Sequence, residues 1–190
     1  IHRGLFYIGA QPESWIATTG KAASFRIQTV DTSGQVAPNT PLTYTLKRVE
    51  WVSKAAAAGG KTTWVETISE VMSGALTTGG DGSASLPFTP ARGGSYRLDL
   101  QGSDSRSNRV LGQAWVYVSD VSYVNWRFDN NDRLDLKADK KRYKPGEIAR
   151  ILVPSPYRDA TALVTIERGR IISRKVMQVG NSSVLEVPVD

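Results

Sequence analysis

The chain has 190 residues, no cysteine, one histidine, a formal net charge of +6 at pH 7 and a pI near 9.7. The lack of cysteine excludes disulfides, thiolate metal ligands and a cysteine nucleophile. Hydrophobic (40%) and charged (22%) fractions are typical of a globular chain. No apolar run approaches the roughly 20 residues of a membrane-spanning helix, so we expect no membrane insertion by this chain.

Strand-like segments recur through the first 120 residues. Phe25 and Ile27 alternate with polar neighbours, which is the period of a half-buried strand. Residues 6–8 lead into strand-like segments over 22–30, 42–52, 62–68, 71–77, 84–88, 95–100 and 110–118. Asp81-Gly82 predicts a hairpin, and Lys54 to Ala58 is too short for a stable helix and is predicted as a loop. About seven strands in this length predict an immunoglobulin-like sandwich.

The stretch from Leu134 to Arg170 organises the second part of the chain. Alternation over 134–139 predicts a strand, and Lys144-Pro145-Gly146-Glu147 predicts a turn, because Pro presets φ and Gly accepts a positive φ. A second strand, 148–153, is predicted to end at Pro154-Ser155-Pro156, since prolines donate no ladder hydrogen bond. Residues 162–167 predict a third strand.

Two further strands are predicted over 170–179 and 184–189, with a turn at Gly180-Asn181. A sandwich closed on both sheets needs about seven strands, whereas the second part supplies about five. We therefore expect an all-β chain of two tandem immunoglobulin/fibronectin-like sandwiches, residues 1–120 and 121–190, with the second incomplete at its C-terminal end.

Candidate chemistry is sparse. His2 is terminal, and the cluster Asp129 to Asp132 lacks the Gly and the bidentate Glu of a calcium loop. Two carboxylate pairs are the candidates for glycosidase chemistry, but nothing else in the sequence indicates a cleft between them. The sequence therefore predicts no catalytic, cofactor-binding or metal site, and no enzyme. The pairs are Glu66 with Glu70 and Glu147 with Glu167.

The aromatic residues leave two alternatives open. Five tryptophans could line a sugar platform, but they fall in different segments, so core or interface packing is the favoured interpretation. They are Trp15, Trp51, Trp64, Trp115 and Trp126. Near the predicted boundary, Tyr117, Tyr123 and Trp126 either pack between the two units or belong to the core of one of them.

The basic residues are scattered along the strands. The runs at Lys140 to Lys144 and Arg168 to Lys175 are short and interleaved with acidic residues. A solvated face is therefore favoured over a nucleic-acid interface. Binding through the first run would have to fall steeply with salt.

Several motifs together resemble the bacterial alpha-2-macroglobulin family. In the second part, a D-K-x-x-Y-x-P-G-E turn begins at Asp139, and an A-L-V-T-I-E-R-G segment begins at Ala162. In the first part, Y-T-L-K-R-V-E-W begins at Tyr44 and G-D-G-S-A-S-L-P-F-T-P begins at Gly80. The resemblance covers essentially the whole chain and implies two macroglobulin-like domains ahead of the bait region.

The resemblance implies a function that the residues alone do not. It predicts a non-catalytic structural segment of a broad-spectrum endopeptidase inhibitor that acts by trapping. The partners would be target proteases, contacted through parts outside this chain, and neighbouring macroglobulin-like domains. The bait is expected beyond Asp190, and the family's thioester cannot lie here because there is no cysteine. Many relatives are periplasmic or envelope-associated lipoproteins. The alternative is an extracellular binding or adhesion module.

Overall fold

The structure, a computed structural model, describes residues 4–54, 63–127 and 133–189. In these residues the secondary structure is entirely strand, and no helix there is long or apolar enough to cross a membrane. The strands are β1 (Phe6–Pro12), β2 (Ile16–Thr18), β3 (Ala23–Asp31), β4 (Pro41–Lys54), β5 (Thr63–Thr77), β6 (Ser83–Phe88), β7 (Gly94–Ser103), β8 (Arg109–Ser119), β9 (Lys137–Ala138), β10 (Ile148–Glu167) and β11 (Ile171–Pro188).

The first unit contains β1 to β8 in two sheets. One sheet has the order β1-β3-β6, and the other has the order β2-β8-β7-β4-β5. All pairs are antiparallel except β2 with β8, which is parallel. Their inner faces bury one apolar core, so the predicted all-β sandwich is confirmed. The alternation of Phe25 (0% exposed) and Ile27 (2%) with exposed neighbours follows the prediction.

Tyr96 is one of the buried residues of this core. It is 2% exposed, and its hydroxyl donates to the carbonyl of Arg92 at 2.8 Å. Burial raises the pKa of Tyr96, which keeps the phenol protonated and able to donate. A buried tyrosine that bonds back to the backbone a few residues upstream is a feature of immunoglobulin-like sandwiches.

Two local predictions in the first unit are wrong. Asp81-Gly82 does form a turn, with Gly82 at φ +70°, but the strands on either side belong to different sheets, so there is no hairpin. The turn crosses between layers because β5 pairs with β4, whereas β6 pairs with β3. The segments 62–68 and 71–77 are one strand, β5, because a bulge at Val71 absorbs the irregularity.

The second unit is built on one long two-stranded ribbon. β10 and β11 are antiparallel over almost their full lengths, and β9 adds two residues at the base of β10. The described part of this unit therefore has three strands rather than the predicted five. The predicted strands 148–153 and 162–167 are both in β10, and 170–179 and 184–189 are almost entirely in β11.

The expected strand break at Pro154-Ser155-Pro156 is wrong for a local reason. Pro154 pairs with Ser182 and Asp159 pairs with Gly180, so residues 155–158 lie opposite Asn181 alone. Residues inside the bulge form no ladder pairs, so Pro156, which has no N–H group, leaves no ladder hydrogen bond unmade. Gly180-Asn181 is correspondingly not a turn, because it lies in the strand facing the bulge.

The predicted strand over 134–139 is also mostly wrong. Only Lys137 and Ala138 pair, with Leu152 and Ile151. Leu134 is 42% exposed and faces a groove between the units instead of a sheet. The period-2 pattern here marks an extended segment without a strand partner.

The Lys144–Glu147 turn is confirmed. Gly146 has φ +85° at the position where such a turn requires a positive value, and the N–H of Glu147 donates to the carbonyl of Lys144 at 3.1 Å. The carboxylate of Glu147 accepts from the N–H of Lys144 at 3.0 Å and from Nζ of Lys140 at 3.1 Å. Glu147 therefore stabilises the turn through these two hydrogen bonds.

The rest of the D-K-x-x-Y-x-P-G-E motif forms a corner. The buried carboxylate of Asp139 accepts from the Tyr143 hydroxyl at 2.6 Å and from the N–H of Arg150 at 3.0 Å. Burial and the bond to Asp139 raise the pKa of Tyr143. Each polar residue of the motif thus has a structural partner.

We predict that Glu147→Gln lowers the melting temperature at pH 7 and that this difference shrinks as the pH falls to about 3, below the ordinary range for glutamate. The N–H of Lys144, followed by Nζ of Lys140, holds the pKa of Glu147 below its usual value. A lowered folded-state pKa means that the ionised group stabilises the fold above its unfolded pKa, and that this stabilisation is lost as the pH falls through the folded pKa. Calorimetry at both pH values measures it.

The matched control is Glu167→Gln, which neutralises an exposed carboxylate at the far end of the ribbon. It should leave the melting temperature unchanged at both pH values. A Glu147→Gln difference that persisted unchanged at pH 3 would contradict the proposed role of the ionised carboxylate.

Candidate functional site

The two units share a small core of their own at the junction. Buried side chains from β2, from the connecting segment that follows β8 (residues 120–127) and from β10 form it: Ile16, Val124, Trp126 and Leu152, with Tyr117 and Val184 packed against them. The rings of Tyr117 and Trp126 lie 6.5 Å apart. These aromatic residues therefore pack between the two units rather than within one.

Asn181 connects the ribbon to the connecting segment. Its Oδ1 accepts from the N–H of Val124 at 2.6 Å, and its Nδ2 donates to the carbonyl of Ser155 in the bulge. Its own carbonyl accepts from Nε1 of Trp126 at 2.9 Å. Asn181 is 6% exposed, so these bonds replace water for groups that burial would otherwise leave unpaired.

Further hydrogen bonds fix the same contact. The Tyr123 hydroxyl donates to the carbonyl of Pro156 at 3.2 Å, which satisfies a second carbonyl of the bulge. The N–H of Asp120 donates to Oγ of Ser182 at 3.3 Å. The connecting segment thus contacts the ribbon at the bulge.

Gly93 brings the first unit against the connecting segment. A Cβ at this position would lie 2.5 Å from side-chain carbons of both Asp120 and Val124, so only glycine fits. Its N–H donates to Oδ2 of Asp120 at 2.7 Å. Burial acts to raise the pKa of Asp120, but hydrogen bonds from Ser122 and Gly93 outweigh it and lower that pKa overall.

A groove of about 750 Å³ opens beside the junction. One wall is the outer face of the five-stranded sheet, since Trp115 and Tyr117 alternate with the core residue Val116. The other wall comes from the second unit. The lining is Trp51, Ser95, Trp115, Tyr117, Trp126, Arg127, Arg133, Leu134, Asp135, Lys137, Leu152 and Pro154.

The groove changes the interpretation of the tryptophans. Trp51, Trp115 and Trp126 fall in different segments of the sequence, yet all three line this groove, so their separation does not argue against a shared surface. Trp126 is 5% exposed and belongs to the junction core, whereas Trp115 is 37% exposed. Trp15 lies elsewhere, under Lys141, and the side chain of Trp64 lies outside what the structure describes.

The other candidate residues do not assemble into a site in the described chain. Glu66 lies 3.7 Å from Arg97, and Glu70 accepts from Ser73 at 2.7 Å. Glu147 holds its turn, and Glu167 lies exposed at the end of the ribbon. His2, the loop beyond Lys54 and the cluster from Asp129 to Asp132 lie outside the described residues.

The two basic runs lie in different parts of the second unit. Lys140 bonds to Glu147, and Lys141 lies over the Trp15 ring at 5.2 Å. The second run lies exposed at the far end of the ribbon, where Leu163 (66% exposed) and Val176 (65%) also face outward. The end of the ribbon that is far from the junction thus exposes both apolar and cationic side chains.

Sequence reasoning missed Asn181 and Asp120. The Gly-Asn dipeptide predicts a turn at Asn181, whereas its three junction bonds depend on the bulge opposite it. Gly93-Gly94 was a signal for Gly93, since a glycine pair before a strand can mark close backbone approach. No feature of the sequence indicated that Gly93 lies against Asp120 and Val124.

We predict that Asn181→Ala destabilises the junction by about 2–4 kcal/mol, because it leaves the N–H of Val124 and the carbonyl of Ser155 buried without partners. Urea unfolding measures the loss, and hydrogen exchange at Val124 should accelerate. The control Gln178→Ala removes an amide from the same strand whose bond to Thr161 is exposed, and it should change stability by less than about 0.5 kcal/mol. Equal effects of the two variants would contradict this assignment.

Two models of known protein families match separate parts of the chain, and these parts correspond to its two units. Residues 9–118, more than half of the chain, match the family model of bacterial macroglobulin domain 6. Residues 134–190 match the model of the alpha-2-macroglobulin bait region domain. The expected position of the bait beyond Asp190 stays a prediction, as do the domain limits of residues 1–120 and 121–190.

Relatives and solved structures are similar to the chain over most of its length. An alpha-2-macroglobulin homolog from Nostoc sp. is 25% identical over 171 residues, covering 90% of this chain and 9% of the relative. A Salmonella alpha-2-macroglobulin reacted with methylamine is 18% identical at TM-score 0.46, covering 100% of this chain and 13% of that one.

Escherichia coli alpha-2-macroglobulin activated by porcine elastase is 13% identical at TM-score 0.47, covering 100% of this chain and 21% of that one. The chain thus spans a small part of the length of each of these proteins. The assignment rests on the two family models, which match in tandem. The chain belongs to the bacterial alpha-2-macroglobulin family.

Proposed function

We propose that the chain is a non-catalytic structural segment of an inhibitor that captures endopeptidases by trapping them. The observation that carries this proposal is the tandem match of a macroglobulin domain and a bait region domain. The junction supports it, because it holds the ribbon of the bait region domain in a fixed place on the macroglobulin sandwich. The partners in this proposal are target proteases and neighbouring macroglobulin-like domains.

The role of the junction in such a trap is mechanical. Trp126 and Asn181 couple the connecting segment to the bulge through packing and buried hydrogen bonds. A displacement of the ribbon would therefore move the sandwich with it rather than bend the connection between them. Cleavage of a bait elsewhere in the complete protein would reach this sandwich through the ribbon.

Several carboxylates support a structural rather than a catalytic role. The pKa values of Asp31, Asp81 and Asp104 are lowered, first by hydrogen bonds with Ser33, Ser83 and Asn108, so these carboxylates stabilise their own turns. No group of three or more histidine, cysteine, aspartate or glutamate residues in the described ranges is arranged to hold a metal.

The test uses the complete protein that carries this chain, incubated with trypsin. Trapping predicts that the bound trypsin keeps its activity on a small peptide amide and loses its activity on a large protein substrate. The reason is that a large substrate cannot reach a protease that is enclosed by the inhibitor, whereas a small one can. The 190-residue chain alone is the control and should protect no substrate. Cleavage of the complete protein with undiminished activity on the large substrate would contradict the proposal.

The family resemblance also supports a location in the periplasm or at the cell envelope, with the complete protein anchored as a lipoprotein. Fractionation of the source cells measures this. Recovery of the complete protein with the membrane fraction, and its release by detergent, is the expected result, and recovery with cytoplasmic markers would contradict it.

A further inference from the structure

The end of the ribbon that is far from the junction has an unpaired strand edge. β11 is the outermost strand in the order β11-β10-β9, so no strand of the described chain pairs with its outer side. The register is regular from Ala160↔Val179 to Ile166↔Ser173, which leaves residues 173–179 of β11 as a continuous edge. Alternate N–H and carbonyl groups along such an edge point outward and can pair with an added strand.

The charge of this end is positive. Residues 160–179 contain four cations and one carboxylate, whereas residues 160–166, which form the β10 side, have no charged side chain. The cations therefore lie in β11 and in the turn before it, and the outer edge of β11 is the cationic edge of the ribbon. The charged residues are Arg168, Arg170, Arg174 and Lys175, with Glu167 as the carboxylate.

These four cations are uncompensated in the described chain. All of their side chains are exposed, and residues 133–189 are described without a gap, so their neighbours along both strands are included. None of the four forms an ion pair there, whereas Lys140 pairs with Glu147 and Arg97 pairs with Asp99. An uncompensated positive edge favours an anionic partner.

The two cations of β11 lie on opposite sides of the ribbon, because consecutive residues of a strand alternate. Arg174 shares one side with Val176, which is 65% exposed. Lys175 shares the other side with Met177. A strand added to β11 would therefore meet a cation followed by an apolar side chain on each of its two sides.

We propose that the outer edge of β11, from Ser173 to Val179, is a docking site for an extended acidic segment of a partner protein. The segment adds as a strand, its adjacent carboxylates bind Arg174 and Lys175, and apolar side chains beside them pack against Val176 and Met177. Backbone hydrogen bonds then supply affinity, and the side chains select the partner. The site goes beyond the proposed function and does not depend on it.

Other occupants fit this edge less well. A membrane surface offers no strand partner for the outward N–H and carbonyl groups. A single-stranded nucleic acid needs aromatic rings on which its bases can stack, and residues 160–179 contain none. A second copy that paired along the same edge would bring Arg174 and Lys175 of both chains together, so charge repulsion opposes it.

The experiment measures binding of a fluorescein-labelled peptide to the 190-residue chain by fluorescence anisotropy. The peptide is about seven residues long, to match the regular register, and has two adjacent glutamates flanked by valine and threonine. Binding should be saturable, should weaken as the salt concentration rises, and should be lost when glutamine replaces both glutamates. Absence of binding by the unmodified chain would overturn the proposal.

Alternate N-methylation tests whether the peptide binds as a strand. In an added strand every second N–H points toward β11, and the others point away. Two peptides that carry N-methyl groups on complementary alternate residues should therefore differ, one losing binding and the other keeping it. Equal binding by the two would indicate attraction by charge alone and would overturn the strand pairing.

Substitutions in β11 test the two cations. Arg174→Gln with Lys175→Gln should weaken binding by at least about tenfold, the equivalent of one charge-assisted contact. The matched control is Lys21→Gln with Arg26→Gln, which removes the same charge from exposed positions of the first unit. At about 0.15 M salt it should change the affinity by less than about twofold. Equal losses in the two double variants would reduce the effect to net charge and overturn the site.

A charge reversal separates binding from folding. Arg174→Glu with Lys175→Glu should abolish binding of the acidic peptide and should create binding of a peptide with lysine in place of glutamate, a gain that an unfolded ribbon cannot produce. Failure of this exchange would contradict the proposal. Tighter binding of oligothymidine or of phosphatidylglycerol vesicles than of the peptide, or a dimer of the chain that excludes the peptide, would also overturn it.

Discussion

The hydrogen bonds of Asn181 are the constraint on which the arrangement of the two units depends. A bulge of four residues in β10 exposes carbonyl groups that have no partner across the ribbon. The side chain of Asn181 pairs one of these carbonyls and binds the N–H of Val124 as well. Because unpaired buried polar groups are costly, the ribbon and the connecting segment are stable together rather than separately.

Several features of the chain follow from this contact. Trp126 is buried because its ring fills the space between the bulge and β8, and its indole N–H reaches the carbonyl of Asn181. Gly93 is required where the sandwich meets the connecting segment, since Asp120 and Val124 leave no room for a side chain. The groove then forms where the outer sheet face and the second unit diverge beyond this junction.

The local structure of the second unit was partly predictable. The turn at Pro145-Gly146 followed from backbone geometry, and the positive φ of Gly146 confirms it. The bulge was not predictable, because proline in a strand ordinarily indicates an end, and only the pairing on both sides shows that β10 continues. The gathering of Trp51 and Trp115 into one groove was equally hidden, since side chains from different strands meet only through sheet order.

The sequence by itself determined the all-β class, the alternation that builds the sandwich core and the motifs that place the chain in its family. These are local properties: strand period, turn chemistry and residue order. Tertiary structure decided the strand pairing across the bulge, the partners of Asn181 and the position of the groove. These depend on contacts between residues far apart in the chain, such as Val124 with Asn181. The free energy of such contacts arises only when the folded chain removes both groups from water.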